Sequence, residues 1–214
     1  MSLKFLASTL STLFLLALGV TAADWYTVEW DAPQFTALSG DMVIPKLPNS
    51  GGTPYVWPAL QSDNGVLQAV CDGRSGVWWI GDGFYGTPSL PWGNGFNVNP
   101  GDTVHFSFTS QRQVGEYNVE HPWKHDESRN IRCRGKTFYL KPIPSLLTLD
   151  MQLTGIPFNF GPITYRNVKI TATTPASQWC GRILHLGSYP YTVTGNTASG
   201  NTCSVASIVQ NSAS

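Results

Sequence analysis

Residues 146–154 read LLTLDMQLT, and their two-residue beat decides the fold. Leu147, Leu149, Met151 and Leu153 alternate with Thr148, Asp150 and Gln152. An extended chain therefore puts the apolar side chains on one face and the polar ones on the other. The beat returns in TVHFSFTS at 103–110, where Val104, Phe106 and Phe108 alternate with Thr103, His105 and Ser107, and again in ITYRNVKITAT at 163–173. Turn-forming clusters separate the runs: NSGGTP, SDNG, DGRSG, GTPSLPWGNG and NPGD. No ten-residue segment carries a 3.6-residue apolar repeat. The pattern predicts an all-β chain built as a two-sheet antiparallel β-sandwich.

The N-terminus predicts the compartment. Residues 1–22, MSLKFLASTLSTLFLLALGVTA, have one early lysine, an apolar core and small residues at the end, the three-part pattern of a secretory signal peptide. The expected organisation is signal peptide 1–22 and one domain over 23–214, in a secreted, extracellular protein. Without Lys4 the chain keeps 12 basic and 13 acidic residues. That balance argues against nucleic acid or an anionic membrane as partner. A monomer is expected, and no cofactor motif is found.

Residues 111–141 differ in composition, holding 11 of the 26 charged residues, seven of them basic. A solvated edge hairpin or loop is expected there, since charge on an edge protects a sheet from further pairing. A basic rim for acidic sugars or peptides is the other reading. Four cysteines, Cys71, Cys133, Cys180 and Cys203, favour two disulfides in an oxidising compartment. Cys180–Cys203 brackets one hairpin-like segment and is preferred, and Cys71–Cys133 follows by elimination.

Few spacings suggest chemistry. His121 and His125 sit four apart beside Asp126 and Glu127, but Pro122 interrupts the segment and no helix is indicated, so no metal site is expected. His105 and His185 read as ordinary strand residues. No GxSxG elbow supports a serine hydrolase. No E-x-[DE] pair is recognised on a strand, which disfavours a retaining glycosidase. Aromatic residues are more informative. Trp57, Trp78, Trp79 and Trp92 fall within thirty-six positions, and exposed aromatic faces stack on sugar rings or grip extended peptides. In a strand, adjacent Trp78 and Trp79 point to opposite faces.

The order TPYVWPALQSDNGVLQAV, VWWIGDGFY, NVNPGDTV and FNFGPITYRNVKITAT, over roughly residues 53–172, resembles that of the fungal glutamic peptidases (eqolisins). The resemblance implies a concanavalin A-like jelly roll, a concave groove and acid-acting hydrolases among the relatives. It implies a glutamine that stabilises an oxyanion and a glutamate that activates water. Gln68 of VLQAV matches the glutamine. The strand that should carry the glutamate is LLTLDMQL, which has none; depending on register, Thr148, Leu149 or Gln152 falls at that place, and Asp150 is the candidate substitute.

Two functions follow. One is a secreted binding protein that holds an extended polysaccharide or polypeptide, using Gln68, Gln152 and some of Trp57, Trp78, Trp79 and Trp92, without peptidase activity. The alternative is an acid-acting hydrolase, either peptidase-like with Asp150 as general acid/base and Gln68 as oxyanion donor, or polysaccharide-cleaving.

Overall fold

The computed structural model describes residues 23–49, 51–87, 92–110, 116–120, 130–131, 136–139 and 144–212. The first half of the chain forms β1 (Asp24–Asp31), β2 (Phe35–Val43), β3 (Thr53–Ser62), β4 (Gly65–Asp72), β5 (Trp78–Gly86), β6 (Phe96–Val98) and β7 (Thr103–Ser110). Three short strands follow, β8 (Glu116–Glu120), β9 (Asn130–Ile131) and β10 (Lys136–Tyr139), and then the long β11 (Leu146–Thr154) and β12 (Ile163–Ala172). One 3-10 turn, Ala176–Gln178, leads to β13 (Leu184–Leu186), β14 (Tyr191–Thr194), β15 (Thr197–Ser199) and β16 (Thr202–Gln210).

These strands form two sheets. The seven-stranded one runs β13-β1-β11-β3-β4-β5-β6 and the nine-stranded one is built on the path β10-β8-β7-β2-β12-β16-β14. Two strands of the charged segment, β8 and β10, stand at the edge of the second sheet. The inner faces meet in one core. Leu147, Leu149, Met151 and Leu153 supply it from β11, Val104, Phe106 and Phe108 from β7, and Ile163, Tyr165, Val168 and Ile170 from β12. The alternation in each stretch thus becomes burial, and removal of that apolar area from water is the main force holding the sheets together.

Local chemistry explains the connections. The NPGD cluster closes a turn in which Asp102 N–H donates to Asn99 C=O at 3.0 Å. Pro100 suits the second position of a type II turn, and Gly101, at φ 87°, supplies the positive φ demanded by the third. The Asp102 carboxylate accepts the Asn99 N–H at 2.8 Å and locks the turn. Strand β3 carries a proline within a central strand. Its ladder with β4 pairs Val56 with Cys71 and resumes at Ala59 with Gln68, skipping Trp57 and Pro58, because a proline has no N–H to donate.

Cys180 and Cys203 form the expected disulfide, closing the segment that holds β13, β14 and β15. The expected Cys71–Cys133 bridge is corrected. Cys71 is a free thiol on the inward face of β4, fully buried in the core, where burial holds its pKa well above the usual thiol value. Elimination failed because one cysteine of the four serves as a core side chain. Cys133 lies outside the described residues, as do His121, His125, Asp126 and Glu127. Gln210, at the end of β16, reaches through the core and donates from Nε2 to the Leu149 C=O of β11 at 2.9 Å. That bond pins one sheet to the other directly behind Asp150.

Candidate functional site

The outer face of the seven-stranded sheet brings the sequence-read residues together. Strand register arranges them in three rows. Glu29 pairs with Thr148, Thr148 with Ala59, Ala59 with Gln68 and Gln68 with Gly83. One step along, Thr27 pairs with Asp150 and Asp150 with Trp57, while Val70 pairs with Gly81. In the third row Trp25 meets Gln152, then Tyr55, Asp72 and Trp79. Adjacent rows are about 6.6 Å apart and adjacent strands about 4.8 Å.

Thr148 is therefore the residue across from Gln68, with only the small Ala59 between them. Leu149 faces the core and Gln152 stands two rows away, so Thr148 is the one of the three that shares a row with Gln68. That place holds a hydroxyl. That hydroxyl donates to Asp150 Oδ2 at 2.6 Å.

Asp150 is a carboxyl kept from water. It is 5 % exposed, flanked by Thr27 and Trp57. Burial raises its pKa to about 7, and the nearby Glu29 carboxyl pushes in the same direction. The Thr148 hydroxyl and the Trp57 indole pull it down, but by less than burial raises it. The Trp57 Nε1, though beside this carboxyl, is buried without a hydrogen bond of regular geometry. Glu29, the second carboxyl, accepts from Thr27 Oγ1 at 2.5 Å. Sequence reading missed Glu29. The signal was present in DWYTVEWD, where Glu29 and Asp31 form an E-x-D pair on β1.

Beside this polar cluster lies a cavity of about 580 Å³, lined by Gln68, Gln152, Val70 and a set of aromatic side chains. Trp57 forms part of its wall, held edge-on by Trp25 at 5.7 Å and Tyr55 at 6.5 Å. Trp79 lies across Gly81 and Gly95, where an added Cβ would come within 2.0 Å of the ring. Trp92 lies on Gly83, the pairing partner of Gln68, where a Cβ would meet the ring at 2.7 Å. Only glycine permits those approaches. Tyr85 and Trp92 remain 69 % and 42 % exposed.

At the end of β4, Arg74 donates from Nη2 to Asp72 Oδ2 at 2.7 Å and from Nε to both carboxylate oxygens, and its guanidinium lies 5.3 Å over the Tyr55 ring. A second depression of about 540 Å³ shares Asp72, Arg74 and Trp79 with the first and continues toward Ser75 and Asn97. The two adjoin through those shared residues and together are called the groove.

The expected site is thus partly redrawn. Gln68, Gln152, Trp57, Trp79 and Trp92 all line the cavity. Trp78 does not: it is fully buried on the inner face, its Nε1 donating to the Pro45 C=O at 2.9 Å, because alternation sends it opposite to Trp79. Asp150 faces the same side as the cavity but is not part of its lining. Trp25, Tyr55, Tyr85, Asp72 and Arg74 join the lining unforeseen. Among the described residues no group of three or more metal-ligating side chains is assembled, and no helix is long and apolar enough to cross a membrane.

No protein-family model matches the chain, and no curated protein matches it in sequence. Solved structures do match in fold. A scytalido-glutamic peptidase with a peptide-based transition state analog superposes with a TM-score of 0.55 at 13 % identity, over 87 % of this chain and 98 % of that one. A second structure of that peptidase with a transition state analog inhibitor gives 0.50 at 16 % identity, over the same shares. SCP-B, an eqolisin-family peptidase in complex with the tripeptide Ala-Ile-His, gives 0.50 at 12 % identity, again over 87 % and 98 %. The chain is similar in fold to these glutamic peptidases across most of its length.

Proposed function

We propose that this protein holds an extended polymer in the aromatic groove on the outer face of its seven-stranded sheet, and does not cleave it as a peptidase. One observation carries the reading: Gln68 lines the cavity, while the place across from it holds Thr148 and the neighbouring carboxyl, Asp150, is not part of that lining, although the two side chains are about equally buried, at 7 % and 5 % exposure. A general base must reach the water that it activates. Here the amide that would bind an oxyanion borders the cavity and the carboxyl does not. The Cys180–Cys203 disulfide suits an oxidising, extracellular setting, in line with the signal-like N-terminus.

A hydrolytic reading draws on a different observation. Asp150 keeps its proton to about pH 7 beside Glu29, and two carboxyls with separated tasks are the usual equipment of an acid-acting hydrolase. In that reading Asp150 is the general acid/base and Gln68 the oxyanion donor. Cleavage of an unfolded protein, scanned from about pH 2 to 7 with Asp150→Asn and Gln68→Ala alongside, separates the two. The binding reading expects a flat scan from folded protein. Acid cleavage lost in both variants would overturn it.

A further inference from the structure

We infer that the ligand of this groove is a neutral, β-linked glycan chain rather than a polypeptide, a reading that rests on the groove being a polymer-binding site. Three features of the groove lead there.

The first is the posture of the indoles. Trp79 packs against Gly81 and Gly95 and Trp92 against Gly83, at approaches that only glycine allows, which fixes both rings in the lining of the cavity. A flat, fixed ring face is the natural partner of the C–H face of a pyranose, which is apolar and equally flat when its substituents are equatorial. β-linked sugars with equatorial hydroxyls offer such faces repeatedly along a chain.

The second feature is charge. Asp72 and Arg74 neutralise each other through a forked contact at 2.7–3.1 Å, and among the described residues no other charged side chain lines the main cavity. The polar groups left to address a ligand include the amides of Gln68 and Gln152. An amide both donates and accepts, which matches a hydroxyl that does the same. Among the described residues of this cavity an acidic sugar would find no unpaired cation.

Backbone supply is the third. The three rows span about 13 Å, enough for roughly four extended peptide residues bringing about eight backbone N–H and C=O groups. A peptide gains affinity on a sheet by adding to an open edge, where main-chain groups wait for partners. This groove lies on the face of β11, β3, β4 and β5, whose main chains are paired with one another. The β3–β4 ladder is interrupted at Pro58, which has no N–H to lend, and β6 covers only Trp78, Trp79 and Ile80 of β5. A peptide lying here would bury more polar groups than Gln68 and Gln152 can satisfy, whereas a sugar chain stacks its C–H faces down and keeps most hydroxyls in water.

The test is titration calorimetry, with tryptophan fluorescence in parallel, on the disulfide-intact protein. The probes are cellohexaose, laminarihexaose, an oligogalacturonate and a reduced, alkylated unfolded protein. At least one neutral hexasaccharide should bind. Trp92→Ala, at a half-exposed position, and Gln68→Ala should each weaken it at least about tenfold, with melting curves close to the parent. Binding of the unfolded protein alone, sensitive to Trp92→Ala, overturns the glycan inference and leaves the polymer-binding proposal standing. Salt-sensitive preference for the oligogalacturonate overturns the neutral class. Binding of none, or binding indifferent to both substitutions, overturns the inference and the proposal together.

Discussion

The two faces of the seven-stranded sheet carry the same kinds of side chain in different states. On the inner face Trp30 and Trp78 are fully buried, and each indole N–H donates to a backbone carbonyl, Cys180 C=O at 3.2 Å and Pro45 C=O at 2.9 Å. On the outer face Trp57 keeps a buried N–H without a normal partner, and Trp25, Tyr85 and Trp92 stay open to water. The core hides its rings, although the Tyr165 hydroxyl and Gln210 Oε1 within it lack partners as the Trp57 N–H does. What separates the outer face is that it leaves aromatic rings open to water.

The widest test of the contrast sets neighbours against each other. Trp78→Ala should cost about 3–5 kcal/mol of folding stability by leaving a core cavity, read by denaturant unfolding. Trp79→Ala should cost far less and remove ligand binding instead. Equal losses of stability would erase the distinction between the faces.

Asp150 gives the next largest effect. Its pKa of about 7 in the fold lies above the ordinary 3.8 of the unfolded chain, so the folded state holds the proton more tightly. The contribution is favourable below about pH 4 and is lost as pH rises toward 7. Across that window the loss is on the order of 4 kcal/mol. Asp150→Asn should flatten this part of the stability–pH curve and stabilise the protein at neutral pH. A variant that tracks the parent through the window would show that the carboxyl is more hydrated than its burial implies.

Cys180→Ser with Cys203→Ser opens a loop of 23-residue separation and should lower stability by about 3 kcal/mol, measured by denaturant unfolding under non-reducing conditions. Groove binding should survive, because the bridge lies outside the three rows. The smallest effect concerns chemistry. Thr148→Glu puts a carboxyl across Ala59 from Gln68, and in a groove that does not hold a polypeptide it should bring no acid cleavage of an unfolded protein. Cleavage by that variant would show that a polypeptide does reach Gln68.

How much of this was legible in advance can be followed residue by residue. Alternation in LLTLDMQLT assigned Thr148, Asp150 and Gln152 to one face and the leucines to the other. The opposition of Trp78 and Trp79 followed from the same rule, but which of them entered the core did not. The E-x-D pair at Glu29 and Asp31 was visible and was passed over, since β1 lacks the clean alternation of β11. Gly81, Gly83 and Gly95 read as turn or breaker residues, and their service as seats for Trp79 and Trp92 depends on close approaches between segments that local patterns do not record.

The sequence by itself determined the strand type, the two faces of the long strands and the Cys180–Cys203 bridge. These follow from side-chain period and chain proximity, which are local. Tertiary structure alone decided that Thr148 stands across from Gln68, that Glu29 joins Asp150, that Asp150 is withheld from the cavity, and that Cys71 belongs to the core. Those outcomes depend on the register of strands far apart in the chain and on which face is covered. A period of two is blind to both: sliding a strand by two residues keeps every side chain on its face and changes every partner.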